Sequence, residues 1–214
     1  MARKQRADAR RSRVAILDAA ARILNEQPEA GVETIAAGAG VTRQTVYAHF
    51  PSRERLLLAV LDRLTELTAA AMDAAEPDEG PAAEALLRVF DAAAKASGRY
   101  PVLLQRINAL PIAAREDQAR HAPIADRIGR VIRRGQDTGE FDSRLPVDWL
   151  VVAAIHLAHA ASDERGRGRM TDSDAEHAFT TSLMRILAPA AAEVVDFRGS
   201  SAKRTEVDPP RASG

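Results

Sequence analysis

The chain has 214 residues, 30 basic side chains against 30 acidic ones, and 46% hydrophobic positions. That length is sufficient to bury one or two hydrophobic cores. The absence of cysteine excludes disulfide frameworks, thiolate zinc sites and cysteine nucleophiles. Alanine is abundant, aromatic residues make up only 4% of the chain and β-branched runs are scarce, so we predict an all-α protein.

No segment of the sequence has the pattern of a signal peptide or a membrane span. The apolar stretch from Val14 to Leu24 is interrupted by Asp18 and Arg22, which excludes it as a signal-peptide core. The longest uncharged stretch, Trp149 to Ser162, has 14 residues, and a membrane span needs roughly 18. We therefore expect a soluble cytoplasmic protein with no membrane partner.

Positive charge is concentrated at the N-terminus. Residues 1–13 contain six basic side chains and one acidic one, and residues 1–53 contain nine basic and five acidic ones. Such a terminus is usually a solvated, frayed arm. If a DNA-binding element lies next to it, the arm instead becomes a candidate for minor-groove or phosphate contacts.

The first predicted helix runs from about Asp8 or Arg10 to Gln27 and ends before Pro28. Its apolar stripe consists of Ile16, Leu17, Ala20, Ile23 and Leu24.

Two short helices follow, over 32–39 and 43–50, and Gly40 supplies the tight turn between them. Thr42 stands at the N-cap position of the second short helix, and Pro51 ends that helix. Ser52 then caps a long amphipathic helix that begins at Arg53 and ends near the loop 76–80.

Five more helices are predicted downstream, which gives about nine in all. They are Pro81 to Gly98, Tyr100 to Leu110, a segment centred on Ile124 to Ile132, Trp149 to Ala161, and a last helix with the stripe from Ala175 to Ile186. Ser173 and Glu176 have the spacing of a capping box for this last helix. Residues 193–214 lack any periodic apolar pattern, and we predict a disordered tail.

The spacing of the two short helices is that of a helix-turn-helix. Val41, Val46 and Phe50 are the apolar positions that would fix the second helix to its neighbours. A DNA major groove admits one α-helix, and helix N-termini and hydroxyl groups suit phosphates. The positions left facing outward are Thr42, Arg43, Gln44, Thr45, Ala48 and His49.

The run from Ile35 to Arg53 closely resembles the DNA-binding signature of the tetracycline-repressor (TetR) family, as does the preceding Ile16-Leu17-Asp18-Ala19-Ala20. The spacing, the glycine turn, the Tyr-x-His-Phe pattern from Tyr47 and the following basic residue coincide over about residues 12–60. The segment from Gly135 to Phe141 resembles a weaker family feature. This resemblance implies a DNA-binding domain over 1–53 and a ligand-binding and dimerisation domain over 54–192.

By position, the resemblance implies phosphate contacts from Thr42, Tyr47, His49 and Arg53, with base contacts from Arg43, Gln44 and Thr45. The chemistry agrees, because arginine pairs with guanine and glutamine with adenine, each for about 1 to 3 kcal/mol of discrimination. The chain departs from the family pattern twice. Gly31 replaces a hydroxyl residue at the N-cap of the first short helix, which removes one phosphate contact, and Arg53 replaces the usual lysine.

The resemblance also implies a homodimer through the last two helices and a palindromic operator in double-stranded DNA. Recognition helices of such a dimer lie about 34 to 36 Å apart. Helices four to eight are expected to enclose a pocket for a small, often apolar molecule. Its candidate lining residues are Leu64, Phe90, Leu104, Ile107, Trp149 and His156.

Other functions remain open at this point. A transcriptional activator, or a regulator that needs no ligand, would have the same sequence features as a repressor. An enzyme is not expected, because hydrolase, protease and nucleotide-binding motifs are missing and no catalytic residue or cofactor is predicted. His156, His159 and Asp163 share one helical face and could hold a metal, although we expect these histidines to lie at a dimer seam or a ligand cavity and predict no metal site.

Overall fold

The computed structural model describes residues 2–108 and 114–189, with residues 2–5, 108 and 114–120 described by their backbone alone. The described residues form nine α-helices and no strand, which confirms the predicted all-α class. The predicted tail 193–214 and the predicted helix end at Leu110 lie outside the described residues. The helices are α1 Ala2–Glu26, α2 Val32–Gly38, α3 Arg43–His49, α4 Arg53–Ala74, α5 Ala82–Ser97, α6 Pro101–Asn108, α7 Ala114–Asp137, α8 Val147–Gly166 and α9 Asp172–Leu187.

The basic N-terminal segment is helical, so the predicted start of α1 near Asp8 or Arg10 is wrong. α1 begins at Ala2, six residues before Asp8. The segment contains neither proline nor glycine and is rich in alanine and arginine, which are strong helix formers. The basic residues from Arg3 to Arg13 therefore belong to the first turns of a helix.

The predicted caps of α3 and α4 form. The Thr42 hydroxyl accepts a hydrogen bond from the backbone N–H of Thr45 at 3.1 Å, and the Ser52 hydroxyl accepts one from Arg55 at 3.1 Å. Gly40 adopts φ +67°, the left-handed conformation that favours glycine. Each capping hydroxyl lies three residues before the backbone N–H from which it accepts.

The ends of α8 and α9 differ from the predicted ones. α8 starts at Val147 and continues to Gly166, since the charged residues after Ala161 are compatible with a helix. The N-cap of α9 is Thr171, whose hydroxyl accepts from the backbone N–H of Asp174 at 3.1 Å. The predicted capping box at Ser173 is therefore wrong by two residues.

Two hydrophobic clusters organise the helices. The first joins α1, α2, α3 and the N-terminal half of α4 to Leu103 and Ile107 of α6. The second joins Met72 of α4 to α5, α7, α8 and α9. α4 is therefore the helix that packs into both clusters, and its first residue, Arg53, marks the predicted domain boundary.

The connection between α7 and α8 folds back on its own helix. Phe141 is 4% exposed and its ring lies against Gly135, where an added Cβ would lie 2.2 Å from Phe141 Cδ2. The Gln136 side-chain amide donates to the carbonyls of Asp142 at 2.8 Å and Leu145 at 2.9 Å. The absence of a side chain at Gly135 is therefore a requirement of this packing.

The same connection reaches the start of α5. The Glu140 carboxylate accepts from the backbone N–H of Ala83 at 3.4 Å. Hydrogen bonding from the backbone of Ala82 is the main cause that lowers the pKa of Glu140, and the Ala83 and Thr138 hydrogen bonds and the charge of Arg134 also lower it. The ionised carboxylate therefore stabilises the N-terminus of α5.

Within the described ranges, no helix is long and apolar enough to cross a membrane.

We expect Gly135→Ala to lower the free energy of unfolding. Overpacking against a buried ring costs about 1 to 3 kcal/mol, which exceeds the gain of about 1 kcal/mol that alanine brings to a helix interior. Gly129→Ala is the matched control in α7, because its added Cβ would lie 3.4 Å from Val151 Cγ2, an ordinary contact. Urea unfolding should show Gly129→Ala as neutral or stabilising, and equal losses in the two variants would contradict this packing.

We expect Glu140→Gln to flatten the dependence of stability on pH below about 5. The folded-state pKa of Glu140 lies below its ordinary value of 4.5, so its contribution is complete above that value and is lost as the pH falls through the folded pKa. The variant should be less stable than the wild type at pH 7, and the difference should narrow on acidification. Glu84→Gln, which removes an exposed carboxylate in the same turn of α5, should keep the wild-type slope. A constant difference between Glu140→Gln and wild type at all pH values would contradict the capping role.

Candidate nucleic-acid interface

α3 is fixed to the first cluster by its apolar face. Val46 is 1% exposed and Phe50 is 4% exposed, while Val41 packs at the edge. The Arg13 guanidinium of α1 lies over the Phe50 ring, 5.3 Å from its centroid. These contacts confirm that the predicted apolar positions fix α3 to the first cluster, beside α1.

The opposite face of α3 is polar and accessible. Thr42, Arg43 and Gln44 are exposed, and Tyr47 keeps 40% of its surface exposed. Thr45 and His49 are half-buried, and the Thr45 hydroxyl lies 2.8 Å from that of Thr42. The structure therefore leaves the α3 residues predicted to contact DNA exposed or half-buried, away from the buried positions Val46 and Phe50.

Arg43 is held by two neighbours on this surface. Its Nη1 forms an ion pair with Oε1 of Glu33, in the first turn of α2. Its Nη2 lies 3.5 Å from the Tyr47 hydroxyl, and its guanidinium carbon lies 5.4 Å from the centre of the Tyr47 ring. This contact of Glu33 was not predictable from the sequence, because an acidic residue in a first helical turn is ordinarily explained by the helix dipole.

Arg53 has a structural partner that the sequence did not indicate. Its guanidinium donates to the carbonyl of Ala30 at 2.6 Å and to that of Pro28 at 2.8 Å, in the loop between α1 and α2. The Pro28 carbonyl also accepts from Arg106 of α6 at 3.0 Å. The loop that enters the helix-turn-helix is therefore held by arginines from two other helices, and the predicted phosphate contact of Arg53 stays a prediction.

α6 is also attached to the end of α1 and, at a second point, to the same loop. The Asn25 side-chain oxygen accepts from the backbone N–H groups of Val102 at 3.1 Å and Leu103 at 3.3 Å, which satisfies donors at the start of α6. Arg106 also forms an ion pair with Glu29, and its hydrogen bond lowers the pKa of Glu29. A movement of α6 would therefore act directly on the end of α1 and on the loop.

The residues predicted to line a ligand pocket are divided among three places. Leu64 and Ile107 are buried in the first cluster and Leu104 packs against it. Phe90 belongs to the second cluster, where its ring lies 4.9 Å from that of Phe179. Trp149 is 60% exposed and His156 is exposed, both on α8. Periodicity identified their apolar faces but not the cluster that each face joins, and their ligand-binding role stays a prediction.

A cleft of about 400 Å³ lies between α4 and α7. Its carboxylates are partly compensated, since Arg127 Nε donates to Asp73 at 2.8 Å and this hydrogen bond lowers the pKa of Asp73. None of the six predicted pocket residues belongs to its lining. The cleft is lined by Asp62, Thr65, Glu66, Ala69, Ala70, Asp73, Pro123 and Arg127.

The histidines of α8 do not form a metal centre with their described neighbours. The ring of His159 lies 6.5 Å from that of His121 on α7. Among the residues that the structure describes, no group of three or more histidine, aspartate or glutamate side chains could hold a metal ion.

Comparison with known proteins points to one family. The sequence model of the tetR family of bacterial regulatory proteins matches residues 16–60. The HTH-type transcriptional repressor LfrR of Mycolicibacterium smegmatis is 44% identical over 81 residues, which are 38% of this chain and 43% of that protein. The HTH-type transcriptional regulator EthR of Mycobacterium tuberculosis is 45% identical over 53 residues, 24% of each chain. The alignments thus span less than half the length of these curated relatives.

Solved structures extend the likeness to nearly the whole fold. The crystal structure of LfrR in complex with proflavine aligns with a TM-score of 0.61 and 29% identity, over 84% of this chain and 99% of that one. The structure of RolR in complex with resorcinol aligns with a TM-score of 0.63 over 86% of this chain and 91% of that one, and its 21% identity shows the fold alone.

We expect Arg53→Lys to lower the free energy of unfolding by about 1 kcal/mol, because a single ammonium group cannot reproduce the two hydrogen bonds of the guanidinium fork. Arg55→Lys is the matched control, since Arg55 is exposed in the same turn of α4. The free energies of unfolding of both variants are measured in urea, and equal values would show that the guanidinium fork of Arg53 contributes nothing to stability.

Proposed function

Because the chain belongs to the tetR family of bacterial regulatory proteins, we propose that it is a cytoplasmic transcriptional repressor that binds a palindromic operator as a homodimer and is released by a small molecule. In this proposal residues 1–53 bind DNA and residues 54–192 bind the ligand and the second subunit. The observation that carries the proposal is the polar, exposed face of α3 on a helix that is fixed from behind by Val46 and Phe50.

This face has the chemistry that a major groove requires. Arg43 and Gln44 are exposed at the N-terminal turn of α3, where they can reach the edges of guanine and adenine. The hydroxyls of Thr42 and Tyr47 and the ring of His49 flank them and suit phosphate oxygens. The net positive charge of residues 1–53 adds attraction that does not depend on sequence.

An exposed stripe on α8 supports the homodimer. Trp149, Val152, His156 and His159 are exposed at spacings of three and four residues, so they lie along one face of the helix. Trp149 is 60% exposed and Val152 is 48% exposed, which is unfavourable for such apolar side chains in water. α9 packs beside α8, so a second copy placed on this stripe would form an interface of the last two helices around a two-fold axis.

The arrangement of α4 and α7 supports a response to a small molecule. The cleft between α4 and α7 touches Thr65 and Ala69 of α4, and the same helix begins at Arg53, which holds the α1–α2 loop. A ligand that binds one orientation of α4 better than another shifts the equilibrium between the two orientations. The size of the shift is set by the difference in binding free energy, and α3 moves with α4. The similar protein LfrR was crystallised with proflavine, which supports a small organic molecule as the class of ligand.

Selection of bound duplexes from random DNA tests this function. We expect an enriched palindrome whose half-sites are separated by one helical turn or a multiple of it, and an affinity that falls steeply with salt concentration. Failure to enrich any sequence, together with binding that does not depend on salt, would contradict the proposal. Repression assays at a promoter that carries the selected site then separate a repressor from an activator.

We expect Tyr47→Phe and Arg43→Ala to weaken binding in different ways. Loss of the Tyr47 hydroxyl removes a phosphate contact, so affinity should fall by a similar factor for every duplex. Loss of Arg43 removes a base contact of about 1 to 3 kcal/mol, so discrimination at one base position should relax. Binding of both variants to a panel of singly substituted operators makes the comparison, and identical profiles would contradict these roles.

A further inference from the structure

We propose that Glu33 tunes the affinity for DNA by competing with the duplex for the guanidinium of Arg43. This inference rests on the proposed DNA-binding function and adds to it a residue outside α3 that limits the availability of the base-contacting arginine. Glu33 is ten residues from Arg43 in sequence, and the turn between α2 and α3 brings the two side chains together.

The contacts show how the competition arises. Arg43 Nη1 is paired with the Glu33 carboxylate, and Arg43 Nη2 faces the Tyr47 hydroxyl at 3.5 Å. A bidentate contact to guanine uses two N–H groups of the same fork and needs the guanidinium edge to point into the groove. In the free protein, Glu33 holds one terminal nitrogen and the Tyr47 hydroxyl lies 3.5 Å from the other, so a base contact through both terminal nitrogens competes with the charged partner.

The position of Glu33 adds a second unfavourable contribution to binding. Glu33 lies in the first turn of α2, the first helix of the helix-turn-helix, and such helices cross the DNA backbone. Once Arg43 turns toward a base, the carboxylate is left uncompensated close to phosphates, and like charges repel. The competition requires the ion pair with Arg43, whereas the repulsion requires only the charge of Glu33.

The pair is exposed, which limits the size of the effect. The side chain of Arg43 is 59% exposed and that of Glu33 is 63% exposed. Exposed ion pairs contribute little, so removing the competitor should strengthen DNA binding by about two- to fivefold. Such a change adjusts occupancy of the operator without changing which residues contact the bases.

A double-mutant cycle on the full chain tests the inference. The selected duplex is titrated with wild type, Glu33→Gln, Arg43→Ala and the double variant at one salt concentration. We expect Glu33→Gln to strengthen binding when Arg43 is present and to have a markedly smaller effect in the Arg43→Ala background. Glu54→Gln is the matched control, since Glu54 is an exposed carboxylate in the first turn of α4, and its effect should be the same in both backgrounds.

Two results would overturn the role of Glu33 while leaving DNA binding intact. Equal strengthening in both backgrounds would mean that Glu33 acts only as a negative charge near DNA. Weakening by Glu33→Gln would mean that the carboxylate supports Arg43 in its base contact. A wild-type chain that binds no duplex would instead overturn the proposed function, and this inference with it. Equal urea unfolding curves for the four proteins verify that the comparison concerns binding alone.

Discussion

The backbone carbonyl of Pro28 is the point on which the placement of the helix-turn-helix depends. It accepts hydrogen bonds from Arg53 at the start of α4 and from Arg106 in α6. The loop that carries it joins α1 to α2, so its position sets the orientation of α2 and α3 against α1. Moving this carbonyl away from the two half-buried arginines is unfavourable, because each guanidinium group would lose a charged hydrogen bond. The orientation of α3 is thereby linked to helices that lie outside the helix-turn-helix.

α4 extends this constraint through the molecule. Its N-terminal residue holds the α1–α2 loop, its middle turns border the cleft toward α7, and Met72 near its end is fully buried in the second cluster. A helix is a stiff element, so a displacement at one end is transmitted to the other. The connection after α7 also positions the helices beside α4, because Phe141 packs on Gly135 of α7 and Glu140 accepts a hydrogen bond from the start of α5. The proposed response to a ligand therefore requires no contact between ligand and DNA-binding residues.

Local features were predictable from the sequence, whereas long-range partners were not. The caps at Thr42 and Ser52 and the buried positions Val46 and Phe50 follow from signals within one or two turns. The hydrogen bonds from Arg53 and Arg106 to Pro28 span 25 and 78 residues, and no periodicity records them. The pocket predictions show the same limit. An apolar stripe indicates which face of a helix is buried but not which cluster buries it, and so residues predicted to share one cavity lie in separate places.

Protection of guanine N7 from methylation on the selected duplex tests most directly whether two copies of α3 occupy successive major grooves. We predict two groups of protected guanines with centres about 10 base pairs, or a whole number of helical turns, apart. Protection should appear only in the complex, since N7 lies in the major groove. A single protected group, or unprotected guanines on a duplex that the protein has fully bound, would contradict a dimer that places two copies of α3 in successive major grooves.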